Sequence, residues 1–427
     1  MKLRCAAVLA AATIIVSACG SAAPSQAAKP AADEGRGPIT FANGKDSSGV
    51  LQGLIDKWNA SHPTEKATLV ELPPQADQQR QQLIQNAQTK SDAFTVVALD
   101  VVWTAEFAAN GWVDELPLGE FPTDKIIPSL VEGGKYFGKL YTAPWGGGTG
   151  LLYSRTDLLK KAGLEQPKTW AELMAACDKV LKMPEAKGMD CYGGQFNKYE
   201  GLTVNISEAI NSAGGSVVGA DGKPTLTTPE AKQGLDFLVE GFKKGYMPKE
   251  AITWDEEAGR RAFQAGKLLF HRNWSYQYTL ANKEDGSSKV AGKFGVSPIP
   301  GLNGLGKGTI GANNLAISKF AKNKRSALDF IKFMTSEETA RHLMLESSQS
   351  PAYAAMYDDP ALVEKFGFLP MLKEGLLNAA PRPAVVRYGD ATAAIQEEIT
   401  AALSGQKPSD QALTALQDRL AKIIANQ

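Results

Sequence analysis

The chain has 427 residues, enough for two domains that each bury a core. Lys plus Arg and Asp plus Glu both number 46, so the net charge is zero and a nucleic-acid partner, which needs a basic face, is not expected. Apolar residues at 43% and charged residues at 22% suit a soluble globular protein, and the three histidines (His62, His271, His342) lie too far apart for a zinc site, so no metal or cofactor is expected.

The N-terminus carries an export signal. Lys2 and Arg4 form a positive n-region, and residues 6–18 an apolar h-region. Val16-Ser17-Ala18-Cys19 resembles the bacterial lipobox, in which the cysteine becomes the lipidated first residue of the mature chain; a plain signal peptide is the alternative. Residues 1–18 are thus read as a signal peptide, and the Ser, Ala, Pro and Gly of residues 19–37 as a lipid-anchored tether. Acyl chains on Cys19 would anchor the protein to the outer face of the membrane. No other run reaches the roughly 18 apolar residues of a membrane span.

Residues 39–42 read as a short first strand. Val50, Leu51, Leu54, Ile55 and Trp58 repeat at helical spacing, and the helix ends before His62-Pro63. Residues 67–72 form a second strand, 77–87 a second helix and 94–99 a third strand. This β-α-β-α-β order implies a parallel sheet. Asp100 stands where the third strand ends, the edge at which open α/β sheets bind ligands. An N-cap for the next helix is the competing role for it.

Residues 140–144 and 150–153 read as strands flanking Trp145-Gly146-Gly147-Gly148, a run suited to a hinge or to close approach of a ligand. Thr169-Trp170-Ala171-Glu172 is a capping box opening a helix to about Leu181. Thr228-Pro229-Glu230 opens another. Residues 256–265 form a short helix running into a strand at 267–270. Gly306-Lys307-Gly308-Thr309-Ile310-Gly311 matches a dinucleotide fingerprint, but it opens no helix and the match is read as accidental. A strand at 315–318, helices from 327 and from 337, and a closing amphipathic helix through Leu413, Leu416, Leu420 and Ile423 complete the chain.

With Cys5 in the signal and Cys19 committed to lipid, Cys177 and Cys191 remain. A pair in an extracytoplasmic chain suggests a disulfide, with two buried thiols as the alternative. No catalytic motif is visible: there is no Gly-x-Ser-x-Gly elbow and no His-Glu-x-x-His. Seven Trp and eleven Tyr are enough for a carbohydrate-stacking site, although most are expected in the core.

Several motifs in order carry a resemblance over nearly all of the mature chain: Leu99-Asp100-Val101-Val102-Trp103, Lys198-Tyr199-Glu200-Gly201-Leu202, Ser212-Ala213-Gly214-Gly215-Ser216, Ala262-Phe263-Gln264-Ala265-Gly266, Arg272-Asn273-Trp274-Ser275-Tyr276 and Ala380-Pro381-Arg382-Pro383. The chain resembles the extracellular solute-binding proteins of carbohydrate ABC importers, in particular the trehalose/maltose-binding lipoproteins. The resemblance implies a two-lobed α/β fold of the type II periplasmic binding-protein kind, with the ligand cleft between discontinuous lobes. Residues 38–146 and 312–348 are expected in the N-terminal lobe, 149–308 and 351–427 in the C-terminal lobe.

The implied function is capture of a disaccharide such as trehalose or maltose, or a related oligosaccharide, by a non-enzymatic monomer that delivers it to the permease subunits of an ABC importer. The resemblance assigns a hydroxyl acceptor to Asp100, hydrogen-bond donors to Arg80 and Arg382, a stacking ring to Trp274, a nearby contact to Tyr276 and a ligand-facing amide to Gly311. It also marks departures: Gly148 stands where relatives carry Asp or Asn, Gly146 where some carry Tyr, Ser47 (beside Asp46) where a Glu is expected, and Asn313 where others place Trp. These positions shape the cleft around the second sugar, and the space opened at residues 146–148 would suit a longer glycan. A secreted carbohydrate-active enzyme and a same-fold receptor for a non-sugar solute are the competing functions.

Overall fold

The computed structural model describes residues 35–383 and 385–426; the signal peptide, Cys19 and the tether up to residue 34 lie outside the described residues. Residues 35–37, expected as the end of the tether, lie against the fold. Arg36 pairs with Glu65 and Asp329, each at 2.9 Å.

The strands, in chain order, are β1 (Ile39–Gly44), β2 (Ala67–Leu72), β3 (Val96–Asp100), β4 (Lys135–Tyr136), β5 (Lys139–Leu140), β6 (Ala143–Gly148), β7 (Leu151–Ser154), β8 (Asp190–Gly193), β9 (Leu268–Asn273), β10 (Gly295–Pro298) and β11 (Gly311–Ile317). They build a sheet of order β2-β1-β3-β11-β6, a second of order β10-β7-β9-β8, and a β4-β5 hairpin. β1 is parallel to both β2 and β3, as the β-α-β-α-β order implies. β11 enters late and runs antiparallel between β3 and β6, so Asn313 pairs with Asp100 on one side and Gly146 on the other.

The helix Leu51–Ser61 shows why the local pattern is reliable. Leu51, Leu54, Ile55 and Trp58 are its buried positions, one stripe at helical period. Trp58 meets Phe330 of the helix Lys324–Met334 edge to face, closing one side of the first sheet. Beside the second sheet the helices Glu200–Ser212, Pro229–Lys243, Tyr388–Leu403 and Ser409–Ala425 pack on one another. The capping box is present: Glu172 N–H donates to Thr169 Oγ1 and Thr169 N–H to Glu172 Oε2, both at 3.1 Å. The helix that it opens, Trp170–Val180, carries Cys177, and a disulfide joins that residue to Cys191 of β8.

The glycine run differs from the expectation of a link between strands. Residues 146–148 are the end of β6, and the link to β7 is Thr149-Gly150. The reason is packing. A Cβ on Gly146 would lie 2.8 Å from Gln349 Nε2 and 2.9 Å from Ser350 O, and one on Gly148 would lie 3.0 Å from Ser350 Oγ. The glycines therefore let residues 349–350 close onto the strand, and Gly147 N–H donates to Ser350 O at 3.2 Å. Beyond them the chain stays on β6 for a few residues, with Tyr357 Oη donating to Gly147 O at 3.3 Å.

The chain passes from the first sheet to the second after Gly148 and returns before Gly311. The two crossings place the carboxyl end of β3, the end of β6 and the start of β11 on one edge, facing the second sheet across a cleft.

Candidate functional site

The cleft has a volume of about 370 Å³, within the range of small-molecule sites. From the first sheet it is lined by Asp100 at the end of β3, by residues 145–148 of β6, by residues 311–313 of β11 and by residues 43–48, the end of β1 and the loop after it. Facing these are Tyr199 and Glu200 at the start of a helix, residues 255–257 at the start of another, residues 274–276 beyond β9, and Arg382.

Asp100 and Arg382 meet in this cleft although they lie 282 residues apart in sequence. Arg382 Nη2 donates to Asp100 Oδ1 at 2.6 Å and Nη1 to Oδ2 at 2.9 Å, a planar two-bond pair. Nη1 also donates to Glu200 Oε1 at 2.7 Å. Tyr388 Oη and Thr392 Oγ1 donate to the same carboxylate. One guanidinium therefore faces two carboxylates, one buried with it and one on the cleft: the Arg382 and Glu200 side chains are 1% and 3% exposed, and Asp100 is 18% exposed. Burial pushes the Glu200 carboxyl well above its ordinary value, opposed by Arg382 and reinforced by Asp100. Arg382 Nε has no partner among the described residues. The competing role of Asp100 is present as well, since its Oδ1 accepts the Val102 N–H at 3.4 Å. At that length the cap is the weaker of its two engagements.

Trp274 follows the last residue of β9 and lines the cleft. A Cβ on Gly311 would lie 2.5 Å from its ring, so the indole edge occupies the volume that any other residue at 311 would fill. Tyr276, two residues on, does not continue the extended backbone of β9. It is instead helical (φ −55°, ψ −25°), because the chain turns at once into the helix Gln277–Ala281. Its hydroxyl donates to Glu257 Oε1 at 2.7 Å. Against the burial that would raise it, Arg260 and Tyr276 hold the Glu257 carboxyl below its ordinary value, whereas burial pushes neighbouring Glu256 up.

Asp46 and Ser47 border the cleft at its mouth. The Asp46 carboxylate is engaged with its own loop, accepting from Ser48 N–H at 2.8 Å and Leu51 N–H at 2.9 Å. Gly148, Gly311 and Asn313 line the cleft together, and the β11–β6 register slips just after Asn313. Arg80 is not among the lining residues. Its guanidinium forks onto the Glu106 carboxylate, with Nε donating at 2.8 Å, and the group lies against Gly389. The front of Gly146 and Gly148 is taken by residues 349–350, which narrows the space expected there for a longer glycan.

Sequence reasoning overlooked Glu200, residues 255–257, Gln79 and Gln349 as lining residues. Glu200 had a signal, since it sits within the Tyr199-Glu200-Gly201 motif. The acids at 255–257 read simply as helix-start residues, and Asp255 does cap its helix. Among the described residues no group of His, Cys, Asp and Glu is arranged to hold a metal, and no helix is long and apolar enough to cross a membrane.

The family model for bacterial extracellular solute-binding proteins matches residues 42–341. A probable ABC transporter-binding protein of Deinococcus radiodurans is 32% identical over 379 residues, covering 86% of this chain and 89% of its own. Among solved structures, T. maritima MalE3 with maltose bound superposes with a TM-score of 0.85 at 31% identity, covering 90% of this chain and 98% of that one. An Agrobacterium radiobacter ABC transporter solute-binding protein in complex with ribitol gives 0.80 at 25% identity, covering 90% and 98%. The fold is thus the two-lobed α/β periplasmic binding-protein fold. The chain belongs to the bacterial extracellular solute-binding proteins, which are receptors and not enzymes.

Proposed function

We propose that this protein is the receptor of an ABC importer for a sugar or polyol, with a disaccharide of trehalose or maltose size as ligand. The observation that carries the reading is the meeting of Asp100, Arg382 and Trp274 in one cleft. Carboxylate and guanidinium groups make charge-assisted hydrogen bonds to hydroxyls, and an indole covers the apolar C–H face of a pyranose. Solved relatives of the same fold hold maltose and ribitol, which supports a neutral, hydroxyl-rich ligand. Asp46, Ser47, Gly148, Tyr276, Gly311 and Asn313 complete the proposed contact set, and Arg80, forked onto Glu106, is left out of it.

In this reading residues 38–146 with 312–348, and 149–308 with 351–427, move as two lobes that close on the ligand. The permease subunits then receive the loaded, closed form. Lipid on Cys19 keeps the receptor at the outer face of the membrane; a Cys19→Ala chain that stayed in the membrane fraction would remove the anchor from the proposal.

A thermal-shift screen across mono-, di- and oligosaccharides and alditols tests the ligand class. A cognate sugar at 100 times its Kd stabilises by roughly 2.7 kcal/mol. Trp274→Ala should then weaken that sugar by about 1.5 kcal/mol, roughly tenfold in Kd. A screen in which no sugar or polyol raises the melting temperature, or a Trp274→Ala protein that binds as wild type, would sink the reading.

A further inference from the structure

Beneath the ring of Trp274 lies a charged group. The guanidinium carbon of Arg272 sits 4.1 Å from the ring centroid, within cation–π range. That guanidinium is held on every side. Nε and Nη2 donate to the two oxygens of Glu208 at 2.7 and 2.6 Å, and Nη1 donates to Gln195 Oε1 at 2.9 Å. The two side chains are 1% and 4% exposed. Glu208 Oε1 also accepts the Thr309 N–H at 3.2 Å, two residues before Gly311, where the ring edge rests. Gly150 is shaped to the same pair, since a Cβ there would lie 2.5 Å from Glu208 Oε1.

A buried ion pair is commonly no more stabilising than apolar side chains of the same volume. Its placement therefore matters more than its stability. Neither Glu208 nor Arg272 lines the cleft, so neither touches a ligand there. Both act through what they hold. We propose that Glu208 and Arg272 are a positioning pair for Trp274: they fix the angle of the indole to the cleft and, through Thr309, keep it in register with the strand that carries Gly311. The consequence rests on the sugar-receptor reading. A ring held at one angle accepts a pyranose whose hydroxyls are equatorial on the stacked face and rejects epimers that raise an axial hydroxyl against it, so the pair sets specificity.

The test reads the ring itself, without sugar. The near-ultraviolet circular dichroism of wild type minus Trp274→Phe isolates the Trp274 band, which exists only while the indole is held in one asymmetric orientation. Glu208→Gln with Arg272→Met removes both charges together, keeps the volume and leaves the Thr309 amide an acceptor. This variant should melt close to wild type and lose the Trp274 band, measured against the same variant carrying Trp274→Phe. Arg272→Lys keeps the charge beside Glu208 but lacks the planar fork, and should retain the fold with the band weakened; it decides the matter if the double variant does not fold. A Trp274 band of wild-type intensity in the variant that folds overturns the inference. The sugar reading fails separately: Trp274→Ala binding maltose, trehalose and mannitol as wild type does would count against stacking, while the band still decides the positioning pair.

Discussion

Arg382→Met should destabilise the protein by about 3–5 kcal/mol, the cost of removing one partner from a buried, hydrogen-bonded ion pair. The side chain is 1% exposed, and it is the counter-charge for both Asp100 and Glu200. Methionine fills much of the same volume, so the loss is electrostatic and not a cavity effect. The loss should also depend on pH. With the guanidinium gone, Glu200 is driven further toward its neutral form by the burial that already raises it. A carboxyl whose folded pKa lies above its unfolded value favours the folded state least at high pH; wild-type Glu200 already stands at about 7, so the deficit of the variant grows as pH rises beyond about 7. Glu200→Gln in the Arg382→Met background should restore part of the stability at pH 8 and less at pH 5. Urea denaturation at both pH values measures this; an Arg382→Met protein within 1 kcal/mol of wild type would mean that water reaches this cluster.

The second large effect lies on the acid side. His271 is fully buried in β9, with Nδ1 at 2.8 Å from Gln277 Oε1 and Nε2 without a partner among the described residues. Burial pushes it down to about 3; the Gln277 bond opposes this, and the charges on Arg272 and Arg260 add to it. The unfolded chain takes up this proton near 6.5, well before the folded one does. Stability contributed by neutral His271 is therefore complete above pH 6.5 and is lost as pH falls toward 3. Between pH 6.5 and 4.5 the loss should be roughly 2–3 kcal/mol. His271→Gln should flatten that part of the profile, and equal slopes for variant and wild type would show that the imidazole titrates alike in both states. Glu200, Asp77 and Glu256, all raised by burial, contribute in the opposite sense.

Much of the fold could be read from local pattern because the interactions concerned are local. The stripe on Leu51–Ser61, the capping box at Thr169 and the N-cap at Thr228 each involve residues within a turn or two of one another. The site was legible in part for another reason. Asp100, Trp274 and Arg382 come from distant segments, and no spacing rule joins them; a resemblance spanning the chain did. What stayed hidden depends on three-dimensional surroundings. Glu200 is one acid among many in the sequence, and becomes distinctive only when burial and Arg382 act on it. Three successive glycines indicate that side chains are unwelcome, but only the arrival of residues 349–350 shows that a strand and not a loop needs them bare. Arg80 has the right chemistry for a cleft and the wrong neighbour, since Glu106 captures it.

The position of β11 has a consequence for how the chain reaches its fold. It is the interior strand that joins β3 to β6, yet it is made long after both. Until Ile317 has emerged, β3 keeps an open edge and the first sheet cannot close. Loop-closure entropy on that scale slows folding, because the distant pairing must form before its contacts repay the ordering. A chain that stops short of Ile317 leaves the β3 edge unpaired, and that edge is the segment most exposed to wrong pairing until β11 arrives.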